Sequence, residues 1–137
     1  ARGGYVLAEA SRDGATVDAQ VILIGTGSEV QLAVAAREAL QAEGIPTRVV
    51  SMPCVEWFTK QDEAYRESVL PSYVKARVSV EAGLALGWRE FVGDHGRTIS
   101  LEHFGASADY KRLFQEFGIT AEAVTAAAKD SLAAVTN

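Results

Sequence analysis

Gly25-Thr26-Gly27-Ser28-Glu29 stands where an apolar run gives way to a helical pattern, and it is the sharpest chemical signal in the chain. Glycines let backbone approach an anion, and the free amides that open a helix attract negative charge. The junction is not a dinucleotide fingerprint, because Val30 occupies the place of the third glycine, and no Lys-Ser/Thr pair follows to make a P-loop. Glu29 would also repel an anion over the first helical turn. The segment reads as a tight turn, with an anion or partner site as the functional alternative. Glu81, in Val80-Glu81-Ala82-Gly83, ends a β pattern. A carboxylate there serves as a general base or ligand group, or it bonds the start of the following helix. Glu102-His103 is an acid–base pair by type, but neighbours on a strand point to opposite faces, which favours surface or interface roles. Cys54 would need a histidine to act as a nucleophile, and His95 and His103 lie far along the chain, so it reads as a small strand-end residue. Two histidines and one cysteine without close spacing make no zinc site, and no Gly-x-Ser-x-Gly elbow is present. Local chemistry alone gives no complete catalytic constellation.

The elements that must position these groups alternate between strand and helix. Gly4–Glu9 is a short strand, and Ser11-Arg12-Asp13-Gly14 reads as a loop. Val21–Ile24 has the unbroken apolar character of a strand buried on both faces. Ser28 is the expected N-cap of a helix from Glu29 whose face is Val30, Ala33, Val34, Arg37 and Leu40, and Gly44 and Pro46 stop it. Thr47–Met52 is the next strand. Thr59, Asp62 and Glu63 open a short helix with Tyr65 and Val69 that ends at Pro71. Arg77–Glu81 and Thr98–Leu101 are further strands, with a helical stripe of Leu84, Trp88, Phe91 and Val92 between them. A helix with Leu113, Phe114 and Phe117 precedes a last one, capped by Thr120, with Val124, Ala128, Leu132 and Val135 as its stripe. Trp57, Phe58, Trp88 and Phe91 read as core or interface aromatics. Helical connections between strands predict a mainly parallel sheet with helices on both faces. The first stretch, joined by a loop alone, is then an antiparallel edge strand.

The 137 residues suffice for one domain, taken as residues 1–137, and the 48% hydrophobic content is ample for a core. A net charge of −5 weighs against a nucleic-acid-binding face, and no apolar run is long enough to span a membrane. The single cysteine allows no internal disulfide and suits a reducing, cytoplasmic setting. The only methionine is Met52, so the sequence is expected to be a piece of a longer chain.

Ordered blocks along the string carry more than any single motif. Gly3-Gly4-Tyr5-Val6-Leu7, Gly25–Glu29, Arg48-Val49-Val50-Ser51-Met52-Pro53 and Lys60-Gln61-Asp62 are followed by Tyr65-Arg66-Glu67-Ser68-Val69-Leu70-Pro71. Val80–Gly83, Phe104-Gly105-Ala106-Ser107 and Phe114 through Phe117-Gly118-Ile119-Thr120 complete the set. From Gly3 to Leu132 the chain resembles the C-terminal domain of transketolases. The Tyr65–Pro71 block favours that family over other thiamine-diphosphate enzymes such as deoxyxylulose-phosphate synthase, while a stand-alone small-ligand domain is the other alternative. Glu102-His103 and Asp109-Tyr110-Lys111 depart from the family pattern.

The resemblance implies a three-layer α/β/α sandwich around a five-stranded mixed sheet with the first strand antiparallel to the rest. It implies a parent enzyme of the pentose phosphate pathway that moves a two-carbon ketol group between sugar phosphates. That enzyme uses thiamine diphosphate and Mg²⁺, is a homodimer, and binds its cofactor in its other domains. This domain would be structural or regulatory, inactive by itself, with the sister domains and the second subunit as its partners. No catalytic, cofactor-binding or metal-binding residue is expected here. Gly93-Asp94-His95-Gly96 has the wrong spacing for the family's metal motif, which ends in an asparagine, and the chain's only asparagine is Asn137. The family strand order sets the second strand between the third and fourth, which makes a switch point at its C-terminal end. Gly25, Thr26, Gly27, Ser28, Glu81, Gly83, His103 and Gly105 would line that crevice as an interface or anion site.

Overall fold

The run Val21-Ile22-Leu23-Ile24-Gly25 is buried at every position, as a strand covered on both faces requires. A computed structural model of the chain describes residues 3–26, 29–81, 97–100 and 120–136. In chain order the described elements are β1 (Tyr5–Ala8), β2 (Ser11–Arg12), β3 (Ala15–Thr16), β4 (Val21–Gly25) and α1 (Val30–Ala42). They continue with β5 (Thr47–Ser51), α2 (Val55–Thr59), α3 (Glu63–Val69), β6 (Arg77–Glu81), β7 (Arg97–Ser100) and α4 (Ala121–Thr136). Among the described residues the main sheet has five strands in the order β1-β5-β4-β6-β7. β1 runs antiparallel to β5 and every other pairing is parallel. This is the expected mixed sheet, with β4 between β5 and β6. None of the described helices is long and apolar enough to cross a membrane.

Side chains alternate across the strands, so β4 feeds two cores. Val21 and Leu23 join Val49, Val78 and Val80 beneath Ala33, Ala36 and Leu40 of α1 and Val124 and Ala128 of α4. Ile22 and Ile24 join Val50, Met52, Phe58 of α2 and Val69 of α3 on the opposite face. Phe58 also meets Tyr65 edge-on, with ring centres 6.2 Å apart. Helices thus cover both faces, giving three layers.

Several local expectations change. Ser11–Gly14 is not a simple loop: β2 and β3 form a two-stranded hairpin, with Asp13 at φ 54 and Gly14 at φ 82. Two positive φ values make the turn whose twist suits a hairpin, and Asp-Gly is its usual sequence. Helix α1 begins at Val30, with Glu29 in the cap position and no side-chain cap bond, while Ser28 lies outside the described residues. Ala36, absent from the expected face, is fully buried beside Ala33, because alanines let the helix sit close to the sheet. The helix expected to open at Thr59 is two helices. Thr59 ends α2, and α3 starts at Glu63, where Asp62 accepts the Tyr65 amide at 2.8 Å. Cys54 stands at the α2 cap position rather than at a strand end. Phe58 is core, but Trp57 is 56% exposed. Thr120 caps α4 as expected, its Oγ1 accepting the Ala123 amide at 3.1 Å. The aromatics Trp88 and Phe91 and the helical stripes between residues 84 and 117 lie outside the described residues.

Polar and charged side chains brace the end of the sheet where the parallel strands begin. Arg37 on α1 donates to the Thr47 carbonyl at 3.0 Å and to the Glu9 carbonyl. Gln41 accepts the Thr47 amide at 2.8 Å and donates to the Ser11 carbonyl at 2.7 Å, tying the hairpin to α1 and β5. Arg48 grips both Glu9 carboxylate oxygens, at 2.9 and 3.3 Å, and reaches the Ser68 and Val69 carbonyls at 2.9 and 3.0 Å. It satisfies orphan carbonyls at the negative end of α3. Arg77 donates to the carbonyls of Val74 and Pro71, both at 2.8 Å. Burial pushes the Arg77 guanidinium below its ordinary value, and the nearby Glu67 charge offsets part of this. Glu67 accepts from the Ser72 amide at 2.7 Å and its hydroxyl at 3.0 Å, and these bonds hold its carboxyl below the usual range.

Two outcomes follow for stability. Ile22→Ala, which empties a fully buried position, should cost about 2–5 kcal/mol in urea unfolding, whereas Leu7→Ala, 45% exposed, should stay within about 0.5 kcal/mol. Glu67 has a lowered folded-state pKa, so its contribution is fully present above its unfolded value of 4.5 and is lost as pH falls through the lower folded value. Glu67→Gln should therefore be less stable than the parent at pH 7, with the gap closing in acid. A gap that does not change with pH would show that the carboxylate charge contributes nothing.

Candidate functional site

The C-terminal ends of the parallel strands share one edge, opposite the arginine braces. Gly25 pairs in register with Ser51 on one side and Val80 on the other, and Glu81 pairs with Ser100. Chain order reverses direction across β4: α1 leads to β5 on one side, and the connection through α2 and α3 returns to β6 on the other. A crevice opens at such a point because neighbouring loops leave in opposite directions.

Gly25 is required there by close approach. A Cβ on it would lie 3.0 Å from the Val30 Cα and 3.3 Å from its Cγ2, so the glycine lets α1 fold back onto the strand end. Its carbonyl accepts the Met52 amide at 2.8 Å, which carries the β4–β5 pairing one residue past the strands. Thr26, half-buried, accepts the Glu29 amide at 3.2 Å and closes the turn into α1. Glu29 is only 6% exposed, so it is part of the junction's interior and not an open charge over it.

Of the eight expected site residues, the structure brings Gly25, Thr26 and the backbone of Glu81 to this edge; Gly27, Ser28, Gly83, His103 and Gly105 lie outside the described residues. His95 does too, so Cys54, half-buried, has neither histidine to be judged against. Ser51 and Met52 belong to the same edge and were not anticipated. The signal was available: a strand parallel to β4 must end beside it.

Among the described residues no group of three His, Cys, Asp or Glu could hold a metal ion, and no buried polar side-chain atom lacks a hydrogen-bond partner. Two clefts among the described residues lie elsewhere. One of about 550 Å³ lies at the opposite edge, between Gln20, Tyr73, Lys75 and Lys129, and Lys129 pairs with Glu43 at 2.8 Å. The other, about 250 Å³, is lined by Glu63, Arg66, Glu67 and Arg77, a mixture of charges suited to no single ion.

Comparison with known proteins agrees with this fold. Residues 3–120 match the family model described as the transketolase-like TK C-terminal domain. A transketolase of Mycobacterium leprae is 58% identical over 132 residues, covering 96% of this chain and 19% of that protein. Transketolase from Leishmania mexicana superposes with a TM-score of 0.85 at 37% identity, over 99% of this chain and 19% of that one. A transketolase of Pichia stipitis, in complex with sedoheptulose-7-phosphate, gives a TM-score of 0.81 at 37% identity, over 98% of this chain and 18% of that one. The chain thus spans about a fifth of the length of the relatives it matches. The family match, the shared identity and the superposition agree, and the chain belongs to the transketolase-like C-terminal domain family.

Proposed function

We propose that this domain serves, within a longer thiamine-diphosphate-dependent transketolase, as a structural and regulatory module that contributes contacts and no catalytic group. The parent enzyme transfers a two-carbon ketol unit between sugar phosphates in the pentose phosphate pathway, works as a cytoplasmic homodimer, and holds thiamine diphosphate and Mg²⁺ in its other domains. Sugar phosphates are supported as its substrates by the Pichia stipitis relative, which was solved with sedoheptulose-7-phosphate. Residues 1–137 act as a single unit.

The observation that carries the reading is the register at the C-terminal edge. Gly25 and Glu81 end adjacent parallel strands where the chain changes direction, while Arg37, Arg48 and Arg77 donate to carbonyls at the other end. Glu81 at a strand end brings negative charge to this edge, which favours protein over a phosphate as its neighbour. Gly25, Thr26, Gly27, Ser28, Glu81, Gly83, His103 and Gly105 are therefore assigned to contact with the sister domains or the second subunit.

Two measurements check this. A ketol-transfer assay of the 137-residue chain beside the full-length enzyme should find activity only in the latter, and turnover by the chain alone would overturn the proposal. Titrating the chain with inorganic phosphate and sugar phosphates should leave the Gly25, Thr26 and Glu81 amide resonances in place. Saturable shifts at these amides would assign the edge to an anion instead.

A further inference from the structure

Trp57 stands at the corner where the polypeptide enters this domain, and the entry is rigid. Gly3 has φ +84, and a Cβ there would collide with the Cys54 carbonyl and the Phe58 amide and come within 2.8 Å of the Trp57 Cβ. The Gly3 carbonyl accepts the Cys54 amide at 3.0 Å, and the Gly4 carbonyl accepts the Tyr65 hydroxyl at 2.7 Å. A glycine conformation barred to other residues and two long-range hydrogen bonds thus fasten the start of β1 to α2 and α3. Because β1 is antiparallel to β5, with Tyr5 opposite Ser51, this corner lies at the same end of the sheet as Gly25 and Glu81.

Trp57 is nevertheless 56% exposed, beside Phe58, which is 1% exposed. A large aromatic in water forfeits most of the burial free energy it offers. The relatives place about four-fifths of their length outside the matched segment, and the matching family is that of a C-terminal domain. The bulk of such a protein therefore precedes Gly3 and arrives at this corner. We propose that Trp57 is the docking anchor for the domain that precedes this one in the same polypeptide, with the Gly3–Gly4 latch fixing the angle at which the two meet. The inference rests on the domain reading given above and names a contact surface that the candidate site does not include.

Hydroxyl-radical footprinting of the chain alone and of the full-length enzyme tests it. Oxidation of Trp57 should fall severalfold in the full-length enzyme, while Tyr73, 62% exposed at the far end of the sheet, serves as the reference. Equal oxidation of Trp57 in both would overturn the proposal. If the peptide carrying Thr26 is protected in that case, the domain reading survives without the anchor; if it is not, both fail. Trp57→Glu supplies an independent readout. It should move the Tm of the isolated chain by no more than about 4 °C. In the full-length enzyme it should separate the unfolding of this domain from the rest. A single unchanged transition there would also count against the anchor.

Discussion

Burial of β4 on both faces is the constraint from which the rest of the domain follows. A strand whose five positions are all buried must have a strand on either side and a helical layer above and below, because its backbone and both sets of side chains need partners. The alternation Val21, Leu23 against Ile22, Ile24 divides the interior into two cores. A one-residue slip of register would exchange them. Central placement also makes the end of β4 the place where connections diverge, so the same burial that stabilises the domain locates its candidate site.

The two ends of the sheet have different chemistry. At the end where the parallel strands start, Arg37, Arg48, Gln41 and Arg77 tie helix ends, the hairpin and the strands together through carbonyls far apart in sequence. Guanidinium groups suit this work because their forked donors satisfy several acceptors and keep their charge when partly buried. At the other end the close contacts are made by small groups: Gly25 against Val30, and Gly3 against the α2 turn. Small residues there allow backbone to approach backbone. One end consolidates the domain, and the other is the one proposed to meet a neighbour.

How much of this was legible in the sequence depended on the range of the interaction. The apolar run of β4, the strand–helix alternation and the Thr120 cap are local signals, and they gave the sheet and its order once joined to the family resemblance. The division of residues 55–69 into two helices was missed, since the pause at Lys60–Gln61 resembles an ordinary helix start. Asp13-Gly14 carried the hairpin signal, but strands of only two residues offer too little alternation to be noticed. The arginine braces had no local signature at all: Arg48 meets Glu9 across 39 positions. Arg37 was assigned to a packing face when it reaches across to carbonyls. At the candidate site, topology alone brings Gly25, Thr26 and the backbone of Glu81 to one edge, whereas Ser51 and Met52 carry no reactive group that would mark them in the sequence.

The central claim is that the candidate residues act through contact rather than chemistry. The most direct measurement is kcat of the full-length enzyme carrying Glu81→Gln together with His103→Gln, with assembly verified by sedimentation. The expected result is a folded, assembled enzyme whose kcat stays within about tenfold of the parent. A folded, assembled enzyme that loses about 10²-fold or more, the scale of a missing general acid or base, would contradict it.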